Sequence, residues 1–432
     1  MNHPAWHFKG GRLIDPARGI DETRDLKVQD GKIVEAFSSG VKAETIDATG
    51  KVVCPGLIDI HVHLREPGQS AKETIETGTR AAAAGGFTSV VCMPNTSPPV
   101  DGVNTVTWII QRAREKGLVN VFPTGCISQG MQGELLAPIG SLHKAGVVAI
   151  TDDGRCIQNN ELMRRALEYA KMFDLLVMDH CQDYTLSADS VMNEGYWSAV
   201  LGLKGWPAIA EEVIVARNAL LAELTGCRVH CQHVTTAGGV RIIREARERG
   251  VPISGEVCPH HLCLTDEKLQ SYNANYKMNP PLRTPRDIKA LLEGVADGTL
   301  EYLASDHAPH CHYEKEVELD DAPFGIVGLE TELALFHTIL VEGKVIALPE
   351  MIARLTSRPA KLLKLNKGSL APGADADVIM IDPALKWTVD KTKFESKSKN
   401  TPFHGMELTG RAVLTMVAGR KVWTLNGGVH VG

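Results

Sequence analysis

Between residues 55 and 315 one pattern recurs: a short apolar run, a polar or Gly/Pro stretch, then a helix-like stretch. The runs are GLIDIHVH (56–63), TSVVCMPN (88–95), NVFPTGCIS (120–128), AGVVAITDD (145–153), LLVMDHCQD (175–183), CRVHCQHV (227–234), PISGEVCPH (252–260) and LEYLASDHAPH (300–310). Their hydrophobicity is continuous rather than alternating, which is the signature of strands buried on both faces. The intervening stretches ETIETGTRAAAAGG (73–86) and GGVRIIREARERG (238–250) suit right-handed crossover helices. Eight such units predict a (β/α)8 barrel of the α/β class over residues 55–365. The interval 184–226 is longer than one crossover needs, so an extra excursion is expected before the helix EEVIVARNALLAEL (211–224).

The flanks carry a different rhythm. GRLID, DLKVQDGKIVEAF and AETIDATGKVV, all within residues 1–54, are short alternating strands with Asp-Gly turn signals. Residues 366–432 repeat that style in KGSLAPGADADVIMIDP and RAVLTMVAGRKVW. The expectation is one small β-rich domain assembled from both termini.

Composition narrows the function. Lys and Arg total 46 against 52 Asp and Glu, a formal net charge of -6, with the charges interspersed. Nucleic-acid binders need a concentrated basic surface, so no nucleic-acid partner is expected. The opening MNHPAWHFKGGRLIDPARG lacks a basic segment followed by an apolar one, and no window approaches the ~18 apolar residues of a membrane span. A cytoplasmic chain with reduced thiols is expected from its ten cysteines, several of them inside apolar runs. The stretch Cys258-Pro-His-His-Leu-Cys263 resembles half a zinc knuckle but has no second pair at finger spacing.

The chemistry lies where the runs end, because a barrel of this kind builds its site at the C-terminal strand ends. His61 and His63 are two apart on one strand and so share a face. Asp153, His180, His233 and Asp306 close the fourth, fifth, sixth and eighth runs. Four imidazoles and two carboxylates on one rim suit Zn2+, or Mn2+ or Co2+. They suffice for two ions about 3.5–4 Å apart, bridged by a carboxylate and a hydroxide. His3, His7, His143, His337, His404 and His430 lie off this rim, and His230 has the opposite pleat to His233, so packing or hydrogen bonding is expected of them. His260 and His261 stand at a rim without an identified partner.

HVHLREPG (61–68) and ASDHAPHCHYEK (304–315) closely resemble the two signature segments of the dihydroorotase family (class I type) of the amidohydrolase superfamily. MPNTSPPVD (93–101), TDDG (151–154), KMNPPLR around Asn279 and APFG (322–325) fall in that family's order, so the resemblance spans almost the whole chain. It implies His61, His63 and Asp306 on one zinc ion, His180 and His233 on another, and Asp153 bridging, with one or two ions per subunit. It further implies that Arg65, Asn95 and His310 hold a substrate carboxylate, while Asn279 and the backbone of Phe324 and Gly325 touch the ring. A planar guanidinium is the natural reader of such a carboxylate. Many superfamily members bridge their metals with a carboxylated lysine. Here the fourth run ends Thr151-Asp152-Asp153-Gly154 and the nearest lysine, Lys144, precedes the strand, which favours Asp153 and leaves the part of Asp152 open.

The activity implied is the reversible hydrolysis of L-dihydroorotate to N-carbamoyl-L-aspartate in pyrimidine (UMP) biosynthesis, by a metal-bound hydroxide with Asp306 as general acid and base. Two other readings compete: a dihydropyrimidinase, hydantoinase or allantoinase, and a non-catalytic scaffold for aspartate carbamoyltransferase. The carboxylate readers stand against the first and the six filled ligand positions against the second. The polar, acidic segment 311–325 is expected to be a loop that closes over substrate, with an ordinary solvated connection as the alternative. A homodimer is the expected assembly, and association with aspartate carbamoyltransferase is left open.

Overall fold

Each apolar run forms a strand, and the eight strands lie parallel in chain order. In the computed structural model, which describes residues 4–430, they are β1 (Leu57–Val62), β2 (Phe87–Cys92), β3 (Asn120–Pro123), β4 (Ala149–Ile150), β5 (Leu176–Asp179), β6 (Val229–Cys231), β7 (Ile253–Val257) and β8 (Tyr302–Leu303). They pair as two arcs, β1–β3 and β4–β8. Parallel bridges between Gly125 and Ile150 and between Val62 and His307 close the arcs into a barrel. Across the β8–β1 junction, the backbone hydrogen bond among the described residues runs from His63 N to His307 O, 2.8 Å. β4 and β8 are shorter than their runs, because the polar residues that follow leave the ladder and turn onto the rim.

The crossover helix Ile75–Gly85 starts at Thr74, whose side chain accepts from Thr77 N, and stops at Gly86 with φ 92°. A Cβ at Gly86 would meet Ile379 Cδ1 at 2.5 Å, so this glycine admits the neighbouring sheet. The interval 184–226 contains the expected excursion: short helices Tyr184–Ser187 and Tyr196–Leu201 and a parallel pair, Met192–Asn193 with Gly205–Trp206. The 17-residue helix Ile209–Thr225 follows.

Strands from the two ends of the chain interleave. One sheet runs Gly428–Val429, Arg420–Thr424, Glu407–Val417, Val378–Thr388, Val52–Pro55, Arg12–Asp15, Ile20–Thr23; a second runs Lys32–Val34, Leu26–Gln29, Ala5–Lys9, Ala43–Asp47. Trp6, Phe8, Leu13, Val28, Val53, Val378 and Met416 fill the space between them. The larger sheet's other side, through Ile379, Ile381 and Ala412, packs into the barrel's own core with Ala81, Ala82 and Phe87. Thr415 Oγ1 donates to Ala83 O across that junction at 2.7 Å.

Residues 389–406 depart from the β-rich expectation for the C-terminal flank. This stretch, rich in Lys and Ser, contains only the 3-10 turn Lys391–Lys393 and crosses to the barrel rim. There Lys397 N donates to Glu73 Oε1 (3.1 Å) and Ser398 Oγ to Lys72 O (2.6 Å), while Glu395 N and Ser396 N both donate to Glu330. His3 lies outside the described residues.

Candidate active site

Alternation along β1 puts Asp59, His61 and His63 on one face, with Asp59 accepting from His61 N at 2.9 Å beneath the rim. His61 Nε2 lies 3.3 Å from Asp153 Oδ1 and 3.5 Å from Asp306 Oδ1; His63 Nε2 lies 3.5 Å from Asp153 Oδ2 and 3.1 Å from Asp306 Oδ1. On the opposite side His180 Nδ1 and His233 Nε2 face each other at 2.8 Å, each 3.9 Å from Asp153 Oδ1. The structure therefore brings all six rim residues together, with Asp153 between the two groups. Asp306 and His233, with Arg65 on the next loop, hold positive φ (48°, 30° and 60°), a conformation that costs energy for non-glycine residues and clusters at functional sites.

Outer contacts orient the imidazoles. His61 Nδ1 donates to Glu256 Oε1 at 2.6 Å, leaving Nε2 for the rim, and Glu256 also accepts from His230 Nε2 (3.0 Å) and His233 N (3.2 Å). His63 Nδ1 bonds Asn95 Oδ1 (2.9 Å) and His180 Nε2 bonds Gln182 Oε1 (3.0 Å). Burial pushes the Asp153 carboxyl up, but the imidazoles of His61, His63 and His180 outweigh it and hold the group well below the usual carboxylate range. Glu256 is likewise raised by burial and drawn down by His61 and His230, to about 2. His233 is held well below its ordinary value, mainly by burial and by His180. Asp153 Oδ1 and His233 Nδ1 are buried without a hydrogen-bond partner. Paired buried carboxylates and imidazole lone pairs converging within 4.8 Å fit a divalent cation, and His61–His63–Asp306 and His61–Asp153–His233 are two such groups.

Asp152 is turned away: its carboxylate accepts from Ile127 N (2.7 Å) and Ser128 N (3.2 Å). Burial raises it to about 6. His230 is hydrogen-bonded as expected, to Ser254 and Glu256. His260 and His261 lie on the short helix Pro259–Cys263; His261 Nε2 donates to Pro280 O at 3.0 Å, and with Cys258 the two imidazoles form a third group of ligand-type atoms.

A cavity of about 280 Å3 opens above the rim, lined by His63, Asp153, His180, His233 and Asp306 and by Arg65, Asn95, Asn279, His310, Phe324 and Gly325. Arg65 is 9% exposed and donates through Nε to Pro309 O at 3.1 Å. Burial lowers it to about 10, so it stays charged at neutral pH. His310 Nε2 donates to Phe324 O (2.8 Å), and its Nδ1 accepts from Lys72 Nζ (3.3 Å). Burial, then the charges of Arg65, Lys315 and Lys72, press His310 far down and keep it neutral. Asn279 Oδ1 is buried and unpartnered. Asn95 lines the cavity while its Nδ2 donates to Asp153 O and Oδ2 (3.3 and 3.2 Å), so it also braces two rim residues.

A family profile described as Dihydro-orotase-like matches residues 50–238. A dihydroorotase from Pelotomaculum thermopropionicum is 54% identical over 417 residues, covering 96% of this chain and 97% of its own. Another from Citrifermentans bemidjiense is 51% identical over 420 residues, covering 96% and 99%. The chain belongs to the dihydroorotase family. Among solved structures, the L-hydantoinase (dihydropyrimidinase) from Arthrobacter aurescens superimposes with a TM-score of 0.88 at 28% identity, covering 100% of this chain and 98% of that one. The dihydropyrimidinase from Brevibacillus agri gives 0.84 at 25% identity, covering 97% and 95%. The barrel with its β-rich companion is thus an amidohydrolase scaffold, and near-full-length identity above 50% separates the dihydroorotase branch from the hydantoinases within it.

Several residues that shape this dihydroorotase-family site escape a reading confined to strand ends. Glu256 is one; a lone acid inside the apolar run PISGEVCPH was its available signal. Gln182 follows His180 by two residues and was detectable by the same spacing that marks His61 and His63. Lys72, Glu73 and the crossing segment 389–406 reach the rim only through tertiary folding and left no local mark.

Proposed function

We propose that this chain catalyses the reversible hydrolysis of L-dihydroorotate to N-carbamoyl-L-aspartate in pyrimidine biosynthesis, with Zn2+ held by His61, His63 and Asp306 and by His180 and His233, and Asp153 shared between the two groups. The observation that carries the reading is the juxtaposition, in one cavity, of the imidazole–carboxylate rim with a buried, charged Arg65. Bound there, such ions supply Lewis acidity and lower the pKa of a water ligand toward ~7.

Arg65 takes the substrate carboxylate, a group a buried guanidinium binds about twice as strongly as a neutral donor would, and the neutral His310 beside it joins the clamp by turning its one N–H from Phe324 O to the bound carboxylate. Asn95 lies at the edge of that clamp. Asn279 and the backbone of Phe324 and Gly325 meet the ring. Gly325 has φ 108°, and a Cβ there would lie 2.6 Å from Ala308 Cβ, so the chain can pass this close only as glycine. Asp306 takes the proton of the attacking water and passes it to the ring nitrogen as the amide C–N bond breaks; cyclisation retraces the same path.

Initial rates on L-dihydroorotate and dihydrouracil, measured side by side with zinc-replete protein, test the reading. Turnover of dihydroorotate alone is expected. Turnover of dihydrouracil instead would move the chain to the hydantoinase branch, and silence on both would overturn the enzymatic reading.

The same reading divides the chain into a barrel, 55–365, and a composite domain, 1–54 with 366–432. It places the enzyme in a reducing cytoplasm, in keeping with ten free cysteines. It also makes the enzyme a homodimer. Ile209, Val213, Leu220 and Leu224 are exposed on one helix. Their spacing is symmetric about its middle, which suits antiparallel packing on a second copy. Sedimentation of Leu220→Glu, expected to be monomeric, tests this, and the same run with added aspartate carbamoyltransferase tests that association.

A further inference from the structure

We infer that Asn400, delivered to the rim by the crossing segment 389–406, is a positioning residue for recognition of the substrate carboxylate. The inference rests on the assignment of Arg65 and His310 as carboxylate readers.

The Asn400 side chain is buried, 6% exposed, and every polar face of it is used. Oδ1 accepts from His310 N at 3.1 Å; Nδ2 donates to Ala308 O at 3.1 Å and to Gly325 O at 3.2 Å. Its own carbonyl accepts from Val327 N at 3.0 Å. One carboxamide thus joins the chain leaving β8 to the loop that carries Phe324 and Gly325.

The grip is specific in its placement. The N–H of His310 and the carbonyl of Pro309 belong to one peptide unit. Asn400 Oδ1 bonds one edge of that unit, and Arg65 Nε bonds the other at 3.1 Å. Two side chains assigned to the same carboxylate, the Arg65 guanidinium and the His310 ring, therefore take their positions from a peptide plane that Asn400 holds. The ring's second anchor, Phe324 O, precedes the Gly325 carbonyl that Asn400 also holds. Asn is suited to this place because a short, neutral carboxamide offers an acceptor and two donor hydrogens together. Aspartate keeps the acceptor but sets a charge against two carbonyl oxygens, and alanine leaves a buried N–H and two buried carbonyls unpaired. None of these bonds reaches the six rim residues, so the geometry that carries out bond cleavage is left alone.

The consequence is a split in the kinetics. Asn400→Ala and Asn400→Asp should raise KM for L-dihydroorotate by at least ~10-fold while kcat stays within ~3-fold, with the same bound-metal content as the parent protein. Should the alanine variant fail to fold, the size-matched aspartate variant carries the test. Lys399→Met removes a neighbouring tether of the same segment, from Lys399 Nζ to Phe394 O and Ser396 O, without touching Lys72, His310 or Gly325, and its KM should stay within ~2-fold. An unchanged KM in the Asn400 variants, a loss confined to kcat, or an equal rise in Lys399→Met would overturn the assignment. His310→Ala and Arg65→Lys run alongside separate the two levels: normal KM in those variants would mean that the carboxylate reading itself is wrong, whereas raised KM there with normal KM at Asn400 would remove Asn400 alone.

Discussion

The hydrogen bond made by an imidazole's other nitrogen fixes its tautomer and orients it for a metal, and at His61 that task falls to Glu256, 2.6 Å from Nδ1. Glu256→Gln should weaken metal binding by about 10–100-fold, read by chelator competition, with smaller effects at saturating Zn2+. The neighbouring carboxylates of the TDDG turn have separated roles. Asp153 faces the rim, while Asp152 is tied to Ile127 and Ser128 and is raised by burial from 3.8 to about 6. The folded protein therefore holds the Asp152 proton more tightly than the unfolded chain, and stability falls as pH rises from about 4 to 6. Asp152→Asn should keep its metal and gain stability relative to the parent protein across that window, by up to about 3 kcal/mol, measured as thermal or denaturant unfolding at several pH values. The HxH pair was legible because the strand period is fixed at two residues. The choice between Asp152 and Asp153 needed the direction in which the chain leaves β4, which no local pattern encodes.

Elements were legible to the extent that their apolar residues were continuous. All eight runs became strands, yet β4 and β8 keep only two residues each in the ladder, since the polar tails of their runs serve the rim. The segment 311–325 is held down by two buried lysines. Lys277 Nζ donates to Leu319 O (2.6 Å) and Asp320 O (3.0 Å), and Lys315 Nζ to Ala274 O (2.9 Å) and Pro323 O (2.6 Å). Neither lysine was a site candidate in the sequence, because a solvated lysine and a buried tether look alike there. If this segment covers the substrate, as its acidic composition and position after β8 led us to expect, added dihydroorotate should slow its proteolysis. Lys315→Met, lacking two of the tethers, should be cut faster in the absence of substrate; cleavage insensitive to ligand would mark the segment as a static connection.

At the scale of the molecule, the chain's two ends share sheets, and one of the connections between their strands returns to complete the rim. The strand pairing was foreshadowed by matching alternation in the two flanks. The return was not, because residues 389–406 are mostly polar, with apolar residues too scattered to show a period, and owe their place to bonds with Glu73, Lys72 and Glu330, far away in sequence, and to burial of Val389 and Phe403. The two arcs of the barrel have a consequence for heat resistance. His61 and His63 belong to the arc β1–β3, whereas Asp153, His180, His233 and Asp306 belong to β4–β8. An ion shared by these residues therefore rivets one arc to the other, beside a junction that among the described residues carries one backbone hydrogen bond, from His63 N to His307 O. Loading should raise the melting temperature in proportion to the logarithm of free Zn2+, by about 2.7 kcal/mol of added stability at a hundred times Kd. Stripping the ion should speed amide exchange first along β1 and β8, where the cylinder would part.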